Sequence, residues 1–198
     1  MHGIDRLWDE LTGLVGKSIA DRTGCLYRNK VYCVPFLNRE LRVNTLSRCV
    51  TVAGKAVTST DNCREHLILA VLSFLVSGER RQAEGSWITE KELPGGSFFF
   101  HGPHALPVHP LIEKFGVNAE LLVERGVTLG GRKAGYGDGS VDFEVLPGVR
   151  MCIALWEADD EFPASCTCMF DRSFRNMLPL DVVLALVHAV VCVLVFDI

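Results

Sequence analysis

The chain has 198 residues, a mean hydropathy of +0.23 and a formal net charge of −4. At this length one domain buries roughly 70% of the surface of its unfolded chain, so a core can form without covalent staples. We therefore predict a single domain over residues 1–198. The basic residues form no block, which argues against a nucleic-acid partner.

The positions of the eight cysteines in the sequence predict that their thiols are reduced. Most of them lie inside apolar runs, where cysteine acts as a small hydrophobic residue. No Cys-x-x-Cys occurs, which argues against a zinc ribbon or a bound iron–sulphur cluster. Residues 1–5 do not show the basic stretch followed by an apolar stretch that is typical of a secretory signal peptide. These features together predict a cytoplasmic protein.

The first third of the sequence predicts a helix followed by an antiparallel meander. Apolar residues recur every three or four positions from Ile4 to Ile19, which is typical of one amphipathic helix that Thr23 and Gly24 end. Residues 26–57 then alternate short apolar runs with turns, a pattern of short strands. Pro35 within the second run indicates an edge strand.

The middle of the chain predicts a central core helix and a capped helical turn. Asn62 and Glu65 have the spacing of a capping pair, and the apolar residues that follow surround the helix nearly completely as far as Ser77. Thr89 and Glu92 have the same capping spacing. Helices are also predicted after residues 109 and 118, and strands at 141–145, 150–156 and 165–170.

A final helix is predicted from residue 180 or 181 onward. Residues 182–196 are apolar except for His188. Fifteen helical residues span about 22 Å, short of the ~30 Å hydrocarbon core of a bilayer, so we predict no membrane span. A buried terminal helix and an oligomer contact are the two alternatives. The predicted fold class is α+β, with an antiparallel sheet packed against the central apolar helix and the terminal helices.

A glycine-dense loop is the first part of the most informative stretch. It contains Gly135, Gly137 and Asp138, preceded by the cations Arg132 and Lys133. Bare backbone amides and two cations suit an anion. The loop matches neither the Walker pattern nor the dinucleotide fingerprint, because no strand precedes it and no helix follows. The alternative is a flexible turn whose cations form a surface ion pair with the aspartate.

An acidic segment is the second part of this stretch. Trp156 is followed by Asp159, Asp160 and Glu161. Hard cations need several oxygen ligands, and carboxylates at a strand end can converge on one. The same set would serve a metal-dependent hydrolase or transferase, in which one carboxylate holds the metal and another acts as base. The alternative is an acidic turn that caps backbone amides and faces water.

Three histidines form a further candidate metal site. His101, His104 and His109 lie in a segment that prolines and a glycine hold rigid. Imidazoles at such spacing can chelate a transition metal or ligate a haem or corrinoid centre. The alternative is an exposed histidine-rich loop. Cys166 and Cys168 share one face of a predicted strand, where buried thiols are expected, and no nucleophile motif is present.

Several motifs in the second half form a recognisable set. They are Trp87-Ile88-Thr89, Glu92-Leu93-Pro94-Gly95-Gly96, Leu129-Gly130-Gly131, Gly137-Asp138, Leu146-Pro147, Trp156-x-x-Asp159-Asp160-Glu161-Phe162-Pro163-Ala164 and Phe170-Asp171. This set resembles a family of bacterial and archaeal proteins described only as a domain of unknown function. The resemblance implies an anaerobic setting, and gene contexts of relatives point to corrinoid or one-carbon metabolism. Some members carry an added iron–sulphur segment, which these residues lack.

Together these observations predict a cytoplasmic binding or accessory module of anaerobic metabolism. Its ligand would be a metal ion or a tetrapyrrole-like or corrinoid-like cofactor, bound by the glycine and acidic segments and by the histidines. The first alternative is the metal-dependent hydrolase or transferase. The second is an interaction protein that forms a homo-oligomer through residues 182–196.

Overall fold

The computed structural model describes residues 2–58 and 62–196 and has an α+β fold. Within these residues two antiparallel sheets of five strands each pack with seven α-helices. The predicted fold class is confirmed, but the one sheet that we predicted is two sheets. The single domain stays a prediction, although one buried core includes residues of both sheets.

The N-terminal helix is interrupted, so the prediction of one continuous helix is wrong. The two segments are α1 (His2–Gly13) and α2 (Gly16–Thr23). Leu14 and Val15 lie between them and are 46% and 71% exposed, respectively. A glycine on each side of this pair raises the cost of continuing the helix. The apolar stripe therefore reaches the core from two short helices.

The first sheet is the predicted meander. Its strands are hydrogen-bonded in chain order, β1 (Leu26–Arg28), β2 (Val31–Phe36), β3 (Arg39–Asn44), β4 (Cys49–Val52) and β5 (Lys55–Val57). Strand β2 as a whole lies between β1 and β3. However, β1 begins opposite Cys33, so Pro35 has a strand neighbour only at Glu40 of β3 and occupies a local edge position.

The two long apolar helices are α3 (Asn62–Ser77) and α7 (Leu180–Phe196), as predicted. They pack against each other in antiparallel orientation, and a disulfide joins Cys63 to Cys192. The prediction of reduced thiols is therefore wrong for this pair, while the other six cysteines are free. The partners are 129 residues apart in sequence, so only the packing of α3 on α7 reveals the pair.

Helix α7 belongs to the core of the chain itself. Val183, Leu186, Val190 and Leu194 are at most 1% exposed. The alternative of a buried terminal helix is confirmed, because most of its apolar side chains are covered by the chain itself. An oligomer contact through residues 182–196 stays a prediction. Among the described residues, no helix combines the length and the apolar character needed to cross a bilayer.

The second sheet has the strand order β6-β10-β9-β8-β7. Its strands are β6 (Trp87–Thr89), β7 (Arg132–Lys133), β8 (Gly139–Leu146), β9 (Val149–Trp156) and β10 (Ser165–Asp171), and the connecting helices are α4 (Gly96–Phe99), α5 (His109–Phe115) and α6 (Glu120–Thr128). Successive side chains of a strand point to opposite faces. Phe143 and Val145 of β8 thus face the core, whereas Asp142 and Glu144 face away from it.

The two sheets meet where β2 ends. The backbone amide of Leu37 donates a 3.1 Å hydrogen bond to the carbonyl oxygen of Val145 in β8. The side-chain amide of Asn38 donates to the carbonyl oxygen of Thr128 at the end of α6, at 2.6 Å. These contacts place the β2–β3 turn beside the polar face of the second sheet.

Candidate functional site

A groove of about 440 Å³ lies between the end of the first sheet and the polar face of the second. Ligand pockets for small molecules usually enclose about 300–1,000 Å³, so the groove is large enough to hold one. Its charged lining consists of three arginines and two carboxylates. The lining residues are Gly24, Pro35, Leu37, Arg80, Gly130, Arg132, Asp142, Glu144, Leu146, Pro147 and Arg150.

Strand pairing brings four of these charged residues together. Arg132 of β7 is the register partner of Asp142 in β8, and Glu144 of β8 is the partner of Arg150 in β9. Residues two apart on a strand share a face, so all four side chains lie on the polar face of the sheet. The charge pattern of the groove therefore follows directly from the register of β7, β8 and β9.

Arg150 is the most firmly held cation of the groove. Its guanidinium forms an ion pair with Asp142, and both side chains are largely buried. The same guanidinium lies 5.5 Å from the ring centroid of Trp87, within the range of a cation–π contact. Two partners on different strands thus fix the orientation of this side chain before any ligand binds.

Arg80 and Arg132 carry charge that no residue of the described part of the chain neutralises. Within residues 2–58 and 62–196, neither guanidinium forms an ion pair. The Arg80 side chain crosses Gly24, where a Cβ would come within 2.7 Å of the arginine Cδ. Because Gly24 has a φ of +73°, it suits this αL position and leaves room for the arginine.

Asp142 has an unused acceptor. Its Oδ2 atom pairs with Arg150, whereas Oδ1 is buried and has no hydrogen-bond partner. A buried acceptor without a partner costs free energy and is uncommon in folded proteins. The lining of the groove therefore offers both free donors and a free acceptor.

The loop that carries Arg80 is hydrogen-bonded to helix α2 and to the segment that follows β10. The Arg80 amide donates to the carbonyl oxygen of Arg22 at 2.9 Å. The Arg81 guanidinium donates to the carbonyl oxygens of Ser173 and Arg175, at 3.2 and 2.9 Å. The polar loop over residues 78–86 was predicted, and the structure shows that it is anchored at one border of the groove.

Asp171 anchors the other end of the same loop. It is fully buried and accepts hydrogen bonds from the backbone amides of Glu84, Gly85 and Ser173, at 2.9, 2.8 and 3.0 Å. Burial alone would raise the pKa of Asp171, but hydrogen bonds from Ser173, Glu84 and Gly85 lower it below the usual value. The carboxylate is thus ionised and structural at neutral pH.

The predicted glycine and acidic segments do meet in space. Asp138 accepts a 2.8 Å hydrogen bond from the backbone amide of Glu157, next to Trp156. Gly137 has a φ of +60°, and a Cβ there would be 2.5 Å from the carbonyl oxygen of Leu155. Gly135 is exposed, and a Cβ added there would have no atom within 4 Å. The loop therefore lies along the end of β9, as a tight turn.

The acidic residues of this edge are used in local structure. The Oδ1 atom of Asp159 accepts from the amides of Glu161 and Phe162, at 2.8 and 2.6 Å. These bonds lower the pKa of Asp159. Glu157 accepts from the amide of Ala119 at 2.6 Å. Asp160 and Glu161 are exposed, so this segment has the geometry of the acidic turn that we weighed against a metal site.

The cations of the glycine loop point elsewhere than predicted. Lys133 pairs with Glu120 of α6 at 2.8 Å, and Arg132 lies opposite Asp142 in the groove. The prediction of an ion pair with Asp138 is wrong, because β7 turns both cations away from the tip of the loop. The prediction that this loop supplies a cation for an anion remains, with Arg132 as the residue.

The three histidines have separate neighbours. His101 is hydrogen-bonded through Nε2 to the carbonyl oxygen of Ser97. His104 stacks on Phe99, with 4.6 Å between ring centroids. His109 begins α5, with its Nδ1 atom 3.4 Å from a carboxylate oxygen of Glu113. In this disulfide-bonded form, no group of three or more His, Cys, Asp or Glu side chains in the described ranges could hold a metal ion.

Cys166 and Cys168 lie on the core face of β10, as predicted for buried thiols. Burial raises the pKa of Cys166 to about 12 and raises that of Cys168 as well. Cys152 lies on the polar face of β9, where burial, together with Asp142, raises its pKa to about 12. These thiols stay protonated at neutral pH, and a protonated thiol is a weak nucleophile.

Sequence reasoning did not identify the groove. Arg80 and Arg150 are 70 residues apart in the chain, and neither lies in a glycine loop or an acidic run. The alternation Asp142-Phe143-Glu144-Val145 is the signal that could have indicated a charged sheet face. Finding Arg132 and Arg150 opposite these carboxylates requires the register of β7 and β9 with β8.

The fold and the groove define an α+β protein with a charged groove between two antiparallel sheets. A family model described as a domain of unknown function (DUF3786) matches residues 17–192. The chain belongs to this family, which confirms the resemblance to an uncharacterised family. No curated protein and no solved structure matches the chain.

Proposed function

We propose that this protein is a binding module for a small anionic ligand that occupies the groove between the two sheets. The observation that carries the proposal is the pair Arg80 and Arg132, two cations without ion-pair partners in the described residues that face one groove. Guanidinium groups bind carboxylates and phosphates through two parallel hydrogen bonds. A ligand with two or more such groups would engage both arginines at once.

The charged lining favours binding over catalysis. Arginine stays protonated at all accessible pH values, so it supplies charge and donors but no proton transfer. Asp142 is held by Arg150, and Glu144 accepts a 2.9 Å hydrogen bond from the amide of Gly148. Both carboxylates therefore have structural partners. This division of roles supports a module that holds a ligand.

The free acceptor of Asp142 sets a second requirement on the ligand. A ligand that bears a hydroxyl or amine group beside its anionic groups would satisfy Oδ1 as well as the arginines. A purely anionic ligand would approach this oxygen unfavourably. Hydroxylated carboxylates and phosphorylated metabolites with a free hydroxyl thus fit the lining best.

The tetrapyrrole-like ligand that we predicted belongs to the same charge class, since its side chains carry carboxylates. In this proposal its carboxylates would bind the arginines, and its ring would lie against Pro35 and Leu37. Its link to anaerobic metabolism rests on the family resemblance alone, and the cytoplasmic setting is a separate prediction from the sequence. The metal-dependent hydrolase stays a prediction, without support from the local hydrogen bonds of Asp159.

The proposal is tested by calorimetric titration of citrate and of inorganic pyrophosphate into the full chain at constant ionic strength. Constant ionic strength separates site binding from general screening. We expect saturable binding to the wild type, and a loss of affinity of about tenfold for each arginine in Arg80→Gln and Arg132→Gln. The matched control is Arg28→Gln, an exposed arginine of β1 in the other sheet.

The control should bind like the wild type, because its guanidinium lies outside the lining of the groove. Citrate carries an alcohol hydroxyl group and pyrophosphate does not, so tighter citrate binding would also support the role of Asp142. Equal affinities of the wild type, the two groove variants and the control would contradict the proposal. Heats of titration no larger than those of sodium chloride would contradict it as well.

A further inference from the structure

The interface of α3 and α7 brings together two cysteines and two histidines. Cys63 and Cys192 are bonded, with their Cα atoms 5.8 Å apart. His66 and His188 stack next to them, with 4.3 Å between ring centroids and 6° between ring planes. Residues three and four apart on a helix share a face. Each helix thus presents one cysteine and one histidine to the other.

The local chemistry of this cluster has an unexplained feature. The Nδ1 atom of His66 is buried and has no hydrogen-bond partner. Buried imidazole nitrogens are normally paired, because an unpaired polar atom costs free energy. Stacking on His188 packs the two rings face to face, but it gives the Nδ1 atom of His66 no hydrogen-bond partner. A ligand that accepts electron density from a nitrogen lone pair would remove this cost.

We propose that Cys63, His66, His188 and Cys192 form a zinc site when the two cysteines are reduced. Two cysteines and two histidines are a common ligand set of structural zinc, which is four-coordinate and tetrahedral. Two thiolates balance the charge of Zn²⁺, so the complex is neutral overall. A neutral complex suits an interface whose neighbours, such as Leu67 and Val191, are apolar and buried.

The distances along the helices suit a single ion. A rise of about 1.5 Å per residue separates Cys63 from His66 by about 4.5 Å along α3, and His188 from Cys192 by about 6 Å along α7. Zinc bonds of about 2.0–2.3 Å bridge such gaps when side chains lean toward a common centre. Rotation of the four side chains is then sufficient, and the helices keep their packing.

The disulfide and the metal site exclude each other, since they use the same two sulphur atoms. With a phosphine as reductant, the disulfide and one water give two thiols and a phosphine oxide. Zn²⁺ then replaces the two thiol protons, which are released to solvent. One interface thereby has two cross-links, covalent under oxidising conditions and metal-mediated under reducing conditions. This inference is independent of the groove.

The test uses Co²⁺ as a spectroscopic substitute for zinc in the phosphine-reduced full chain, under anaerobic conditions. Tetrahedral cobalt with thiolate ligands gives intense visible bands together with a sulphur-to-metal charge-transfer band. We expect one equivalent bound to the reduced protein, displacement by one equivalent of Zn²⁺, and no bands from the oxidised protein. Absence of these bands from the reduced wild type would overturn the proposal.

Variants distinguish this site from adventitious thiol binding. In His66→Gln and His188→Gln the disulfide can still form, so circular dichroism of the oxidised proteins verifies their fold before reduction. We expect each variant to lose the tetrahedral bands or to bind Co²⁺ at least tenfold more weakly. Cys49→Ser removes a free cysteine of β4 and should bind like the wild type. Binding unchanged in both histidine variants, or lost in Cys49→Ser, would contradict the site.

Discussion

Gly148 and Arg81 are in direct backbone contact. A Cβ at position 148 would be 2.6 Å from the Arg81 nitrogen and 3.1 Å from the Cα atom of Arg80. Gly148 forms the turn between β8 and β9, the two strands that carry most of the charged groove residues. This close backbone contact fixes the distance between the loop of residues 78–86 and the second sheet, and therefore the width of the groove on that side.

We predict that Gly148→Ala lowers the free energy of unfolding by about 2–3 kcal/mol, because left-handed strain and the clash with Arg81 add up. Gly148 has a φ of +75°. The control is Gly54→Ala, since Gly54 has a φ of +78° and no atom within 4 Å of the added Cβ. It should cost only about 1 kcal/mol.

Urea unfolding of both glycine variants measures the difference. The Gly148 variant should also bind anions more weakly, because a displaced loop moves Arg80 away from the groove. Equal losses of stability in the two variants would show that the Arg81 contact does not constrain the turn.

Glu144→Gln should strengthen anion binding. Glu144 lines the groove and accepts from the amide of Gly148, a role that a glutamine oxygen can keep. The substitution removes one negative charge close to the ligand, so we expect a gain in affinity of about two- to fivefold with little loss of stability. Titration of pyrophosphate measures the gain. Weaker binding, as in the arginine variants, would place the anion elsewhere.

Asp171→Asn should destabilise the protein by about 2–3 kcal/mol, since an amide group would face one of the three backbone donors that the carboxylate now accepts. The pKa of Asp171 is lowered in the folded state, so its contribution is complete above about pH 5 and is lost as the pH falls through the folded-state pKa.

Chemical denaturation of the wild type and of this variant between pH 3 and pH 8 measures that dependence. The difference in free energy of unfolding between the wild type and the variant should be constant near neutral pH and should shrink below about pH 4. If this difference in free energy of unfolding grew in acid, the pKa of Asp171 would not be lowered in the folded state.

Asp159 and Asp160 should behave differently when substituted. Asp159→Ala removes the acceptor for two backbone amides and should lower the melting temperature. Asp160→Ala changes an exposed carboxylate and should leave it unchanged. Calorimetry of both variants, with and without Mg²⁺, measures this. A stabilisation by Mg²⁺ that both variants lose would instead favour the metal-dependent hydrolase or transferase.

The elements with strong local signals could be predicted from the sequence. The capping box at Thr89 and Glu92 and the strands β8 to β10 lie where caps and periodicity placed them. The predicted capping pair of Asn62 and Glu65 lies outside what the structure describes, because the side chain of Asn62 is not described. The break at Leu14 and Val15 was missed, because apolar spacing continued across it. Local patterns therefore determined the fold class, and glycine placement determined the break.

The candidate sites depend on contacts between distant segments. The sequence left open whether the glycine and acidic segments meet in space, and in the structure Asp138 contacts the amide of Glu157. The groove and the interface of α3 with α7 were not predicted, since both join residues far apart in the sequence. The spacing Cys63-x-x-His66 with His188-x-x-x-Cys192 is visible in the sequence, but only antiparallel packing makes the pairs face each other.

The central claim is that an anion binds in the groove between the sheets. The most direct measurement is the change in backbone amide shifts of ¹⁵N-labelled protein during titration with pyrophosphate at constant ionic strength. The account predicts saturable shifts at Arg80, Arg132 and Arg150, and none at Gly137 or Asp159. Shifts confined to the glycine and acidic edge, or spread without saturation over the surface, would contradict it.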